Sequence, residues 1–260
     1  MSALRALGAG LALALGYALA IRPRMLRYGA TAAEAAGPFP GSELIPGGHR
    51  GGTMAVSIDA PPTAVWPWLA QMGCDRAGWY SWDRLDNGGV PSAERIHPGW
   101  QSVEVGDRWL STPSGATWFE VAAVEPERFL ALHAPIDLCG GRSFDTSRPR
   151  PPLYVDSLWC FLLRELPGGR TRLVVSGYSA EHPRALAALQ NFLFWEPAHW
   201  IMQTRQFANL KRRAEPRAHH RNPPAARFSD AHRLGSRAPA SSARGISTPG
   251  ESAGSGKFAG

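Results

Sequence analysis

Glu196 and His199 stand three residues apart in a stretch of helical periodicity, so they share one face, and Gln203 extends that polar stripe by another turn. A carboxylate and an imidazole on one face suit proton transfer. The same Glu-x-x-His spacing occurs in di-iron carboxylate bundles, where two copies meet. This chain holds one copy, and no metal site follows from it. A structural hydrogen bond beside Pro197, which removes a helical N–H, fits the pair equally well. A second group is Trp79, Tyr80, Trp82 and Asp83. In a loop, these residues could form the mouth of a cavity: the rings stack on a flat apolar ligand, the Tyr80 hydroxyl binds it, and Asp83 accepts a proton. They fit a packed loop capping the core as well, with Asp83 paired to Arg84 or Arg95. His133 follows Phe129 and Ala131 on one face of a strand and points wherever those two point. It is either a base in a cavity or a satisfied core histidine. His97 and Glu94 are weaker candidates in a loop. The catalytic candidates are therefore Asp83, His133, Glu196 and His199. The ligand-binding candidates are Trp79, Tyr80, Trp82, Trp100 and Trp159. No nucleophile elbow, phosphate-binding glycine loop or HExxH motif appears, and no cofactor or metal is expected.

The elements that must position these residues follow from periodicity and punctuation. Met54 to Ile58 alternates as a short strand. Pro61 and Pro62 suit a helix start, Thr63 to Met72 reads as that helix, and Gly73 ends it. A Gly-rich loop runs from Cys74 to Gln101. Strands are predicted near Arg108, at Thr117 to Val124 and at Arg128 to His133, with a turn at Pro126-Glu127. Ala134 to Pro152 reads as a loop. Ser157 to Leu166 and Thr171 to Tyr178 form a hairpin about Pro167-Gly168-Gly169. One long helix from Pro183 to Ala214 closes the unit, with Leu186, Leu189, Leu193, Trp200, Phe207 and Leu210 at helical spacing. The pattern is α+β: one antiparallel sheet curled around a long terminal helix. The concave face of such a sheet leaves room for a ligand. All ten tryptophans lie between Trp66 and Trp200, which marks the packed unit as residues 52–215.

Charge lies elsewhere. The net +7 is carried wholly from Lys211 onward, where ten Lys/Arg meet three Asp/Glu; the rest is neutral. A neutral domain argues against a nucleic-acid groove, which needs a basic face. Residues 216–260 are poor in large apolar side chains and read as a disordered basic tail. The three cysteines form no C-x-x-C pair and give neither a disulfide framework nor a zinc site. At the other end, Ala6 to Ile21 is uncharged and rich in Ala, Leu and Gly. As a helix it spans about 24 Å. Arg22, Arg24 and Arg27 follow at once and favour an uncleaved membrane anchor, residues 1–27, with the domain on the cytoplasmic side. A signal peptide cut after Ala18-Leu19-Ala20, giving an exported protein, and a peripheral helix are the alternatives. Residues 28–51 read as a Pro- and Gly-containing linker.

Several motifs then sit together: Ile58-Asp59-Ala60-Pro61-Pro62 leading to Val65-Trp66-Pro67-Trp68-Leu69, Gly78-Trp79-Tyr80-Ser81-Trp82-Asp83, Ala93-Glu94-Arg95-Ile96, Trp100-Gln101, Val105-Gly106-Asp107 and Glu196-Pro197-Ala198-His199. Over Thr53 to Glu215 the chain resembles the START-related lipid-transfer (SRPBCC) superfamily, in its polyketide cyclase/dehydratase-like branch. The resemblance implies a helix-grip fold with a hydrophobic cavity and transfers no catalytic set. The functions expected are carriage of a lipid-like or polyketide-like ligand, a cyclase or dehydratase using acid/base residues in the cavity, or a membrane-tethered interaction module with a basic tail.

Overall fold

Two 13-residue strands dominate the chain, β7 (Tyr154–Leu166) and β8 (Arg170–His182), paired along their whole length. Their turn, Pro167-Gly168-Gly169, works because both glycines take left-handed backbone angles, φ +81° and +66°. In this computed structural model, residues 8–10, 12 and 14–216 are described. Six further strands complete one open antiparallel sheet: β1 (His49–Arg50), β2 (Met54–Ile58), β3 (Arg108–Leu110), β4 (Trp118–Glu125), β5 (Phe129–Asp137) and β6 (Arg142–Ser143). The order is β1-β8-β7-β5-β4-β3, with β2 beside β1 on β8 and β6 on β5. The expected loop 134–152 is therefore partly strand: the β5–β7 ladder runs on through Asp137↔Tyr154, and β6 adds to it. Pro135 hid this continuation in the sequence.

Helix α1 (Pro62–Ala70) opens on Pro61-Pro62 as expected and buries Val65, Trp66, Trp68 and Leu69. The closing helix differs from the expected single rod. It consists of α2 (Arg184–Gln190), a π-helical turn (Asn191–Trp195) and α3 (Glu196–Ala214). Pro197, in the first turn of α3, offers no N–H, and its ring crowds the carbonyl four residues back; the wider π turn relieves both problems. The extra residue shifts the phase of the apolar stripe. Phe207 and Leu210 reach the core, whereas Leu186, Leu189 and Leu193 are exposed.

The sheet has a core on each face. One side packs against α1 and α3, through Trp66, Leu69, Leu130, Phe161, Leu173, Phe207 and Leu210. The other carries Phe129, Ala131, Leu158, Cys160 and Val174 beneath Phe39 and Ile45. Thus the stretch 28–51, expected as a linker, is part of the fold. Its helix Ala32–Ala36 is capped by Thr31 and Glu34, and Glu34 forms a two-pronged ion pair with Arg172 at 2.8 and 2.7 Å. Arg172 holds the Glu34 carboxyl down to about 2. Burial of Phe39 and Ile45 is worth about 1.5–3 kcal/mol each, enough to seat a segment that has little periodicity of its own.

The N-terminal run is helical where it is described, including a π turn at Tyr17–Ile21 and an α turn at Arg22–Met25. No helix among the described residues is long and apolar enough to cross a membrane. Residues 1–7, 11 and 13 of the expected anchor lie outside the described part. So do residues 217–260, and with them the expected disordered tail.

Candidate functional site

Strand β7 shows that the two faces of the sheet are covered unequally. Successive side chains point to opposite faces. Asp156, Leu158 and Cys160, on the face under Phe39 and Ile45, are buried; Val155, Ser157 and Trp159, on the face toward the helices, are only half-buried. Ser179, opposite Ser157 on β8, is half-buried as well. Deeper along the same face, Phe161, Leu163 and Leu173 are fully packed. This end of the face is therefore less covered than the deeper end.

A wall of aromatic rings stands on this face. Trp159 meets Trp79, Phe119 and Phe161 with ring centroids at 5.7, 5.6 and 4.6 Å, and Trp79 meets Phe119 at 5.1 Å. The His199 ring lies edge-on to Trp159 at 6.2 Å. His199 retains much accessible surface, yet burial holds its pKa down to about 4. The lowered pKa keeps His199 neutral at pH 7. A string of amides threads behind the rings. Trp159 Nε1 donates to Gln203 Oε1 (3.3 Å), Gln203 Nε2 to Gln206 Oε1 (2.8 Å), and Gln206 Nε2 to the Trp79 carbonyl (2.9 Å). Trp79 Nε1 and Trp200 Nε1 are buried donors with no partner among the described residues.

The other expected site residues lie outside this wall. Tyr80 is fully buried at φ +58°; its hydroxyl accepts from Gln71 at 2.8 Å, and Arg213 stacks over its ring. Burial raises the Tyr80 phenol to about 12. Trp82 is half exposed under Arg205. Asp83 accepts from the Ser92 N–H (3.1 Å) and hydroxyl (2.6 Å), which ties the loop to itself. Trp100 stacks on His97 and gives its carbonyl to Arg76. His133 lies on the opposite face of the sheet, 2.5 Å from the buried Asp156, which also binds Arg150. Glu196 is clamped by Arg22 at 2.6 and 2.7 Å. Glu94 pairs with Arg212 and Arg213. Of the four acid/base candidates, His199 is the one whose ring touches this aromatic wall among the described residues.

Sequence reasoning missed Phe119, Gln206 and Asp86. Gln206 carried a signal: a polar residue beside Phe207 on the buried stripe. Asp86 is buried with no hydrogen bond to either carboxylate oxygen among the described residues; burial pushes its pKa up to about 6, and the nearby Ser81 hydroxyl offsets part of the rise. No group of three or more His, Cys, Asp or Glu suited to a metal occurs among the described residues. Two clefts open at the surface. One, of about 200 Å³, is lined by Trp68, Glu94, Arg212, Arg213 and Glu215; the other, of about 260 Å³, includes Arg22, Arg27, His49, Arg50 and Glu196. Their charged linings differ from the aromatic wall.

No family model and no curated protein matches the chain. Solved structures do resemble it at low identity. A solution structure from Arthrobacter aurescens is 14% identical, with 72% of this chain and 98% of that one covered at a TM-score of 0.37. CalU16 from Micromonospora echinospora is 13% identical, with 64% and 84% covered at 0.31. DynU16, from the dynemicin biosynthetic locus, is 16% identical, with 61% and 46% covered at 0.35. Values this low assign neither a family nor a function.

Proposed function

We propose that the chain binds or carries a small apolar ligand between the sheet and its closing helix, as its resemblance to the START-related superfamily implies. The observation that carries this reading is the asymmetry of β7: Val155, Ser157 and Trp159 are half-buried beside neighbours on the other face that are fully buried. An aromatic wall gives a flat or chain-like apolar molecule large contact area. Neutral His199 and the unpartnered Trp79 N–H are polar handles close to that wall, and they suit a ligand with a carbonyl or hydroxyl at one end. Carriage is favoured over cyclase or dehydratase chemistry because proton transfer in a pocket needs converging acid and base groups. Asp83, His133 and Glu196 are committed to Ser92, Asp156 and Arg22, which leaves His199 without a second of these acid/base candidates beside it among the described residues. The test is native mass spectrometry of the full chain after incubation with a lipid extract. A retained apolar molecule that is lost in Trp159→Ala supports the reading. Absence of any retained molecule, with the chain folded by circular dichroism, sinks it.

A further inference from the structure

The N-terminal turn and the π turn of the closing helix lie side by side. Tyr17 donates its hydroxyl to the Phe192 carbonyl at 3.3 Å and packs its ring on Phe192 at 5.0 Å. One turn further along both segments, Arg22 grips Glu196 with two hydrogen bonds and covers the Phe192 ring. The two segments therefore run parallel and in register. Both expose apolar side chains just before that clamp: Leu15, Leu19 and Ile21 on one, Leu193, Phe194 and Trp195 on the other, each about half exposed or more. Soluble surfaces scatter such residues singly. The rim is positive. The first acidic residue of the chain is Glu34, and Arg22, Arg24 and Arg27 come before it; Arg24 and Arg27 are exposed, while Arg22 is neutralised by Glu196.

We infer that this double apolar face is a bilayer contact. The two parallel turns lie on an anionic membrane, with Leu193, Phe194 and Trp195 in the headgroup–acyl boundary and Arg24 and Arg27 among the phosphates. The N-terminal run is short for a span, but an apolar surface with basic flanks suits an interfacial position. Charge decides the occupant: an apolar patch with an all-arginine rim complements anionic lipid. The closing helix that bounds the ligand space then contributes directly to the membrane contact. This inference does not depend on the ligand reading, since vesicle binding and ligand retention are measured separately.

The test is flotation of the full chain with phosphatidylcholine vesicles, with and without 30% phosphatidylglycerol (~100 mM salt keeps the Debye length near 10 Å), alongside inorganic phosphate as a competitor. The account expects binding to the anionic vesicles, at least tenfold weaker for Leu193→Glu/Phe194→Glu and little changed by phosphate. It also expects bromine-labelled lipid to quench a part of the tryptophan emission that disappears in Trp195→Phe, a substitution mild enough to leave the fold intact. Four results overturn it: equal binding by the double variant, quenching that survives Trp195→Phe, displacement by phosphate alone, or a self-association lost in the double variant while vesicle binding persists.

Discussion

Val155→Phe and Cys160→Phe place the same ring on opposite faces of one strand, so together they measure how full each face is. Cys160 is fully buried between Leu158, Leu162 and the Phe39–Ile45 segment. Nothing there can yield without moving the segment that covers it, and overpacking a closed core costs about 1–3 kcal/mol. For a domain of this size, about 2–4 °C accompanies each kcal/mol, which gives a fall in Tm of about 2–12 °C. Val155 is half-buried, pairs with Ile136 and Glu181 through its backbone, and lies on the helix-facing side of β7. If the proposed ligand space lies there, an added ring enters it, and the stability changes by less than about 0.5 kcal/mol, or roughly 2 °C. The larger effect of Val155→Phe is on binding, because the ring occupies part of the ligand space. Thermal unfolding followed by circular dichroism, paired with native mass spectrometry, reads both quantities. Equal destabilisation by the two substitutions would show that the helix side is as full as the other, and the reasoning would fail.

Other expectations follow from particular residues. Gln206→Leu leaves the Trp79 carbonyl and the Gln203 amide without their partner, and costs about 1–3 kcal/mol in denaturant titration; no loss of stability would mean water replaces the amide. Glu34→Gln weakens the pair with Arg172 and costs about 1.5–3 kcal/mol at neutral pH. Glu34 is held down to about 2 against an ordinary 4.5, so its contribution is whole above pH 4.5 and fades as pH falls toward 2; the variant and wild type should converge there. Asp86 and His199 act in opposite directions across one pH window. Asp86 is raised from 3.8 to about 6, so the stability it contributes is intact below 3.8 and lost as pH rises through 6. His199 is lowered from 6.5 to about 4, so its contribution is intact above 6.5 and lost as pH falls toward 4. Relative to wild type, Asp86→Asn should steepen the gain in stability between pH 4 and 6.5, and His199→Gln should flatten it. Identical slopes in all three proteins would contradict both assignments.

Much of the fold was legible because it is local. Met54–Ile58 alternates, Pro61-Pro62 starts a helix, and two glycines that tolerate left-handed angles join β7 to β8. What failed needed tertiary information. Residues 28–51 have no period, and only the waiting face of Leu158, Cys160 and Val174 shows that Phe39 and Ile45 are core residues. His133 was placed correctly with Phe129 and Ala131, but periodicity does not say which side of a sheet the helices cover. Glu196 and His199 share a helical face, yet Arg22, far away in sequence, takes the carboxylate, and the histidine is left beside Trp159. The apolar stripe of the closing helix looks continuous in the sequence because the π turn before Pro197 adds a residue without changing the local composition.

Photolabelling tests the central claim most directly. The native full chain is irradiated with a fatty acid that carries a diazirine near its methyl end, digested, and the adducts are mapped by peptide mass spectrometry. The account predicts adducts on the helix-facing residues of β7 and on the helix across from them, at Val155, Ser157, Trp159 and His199, and their loss in Val155→Phe. Adducts confined to Leu193, Phe194 and Trp195, or labelling unchanged in Val155→Phe, would contradict it.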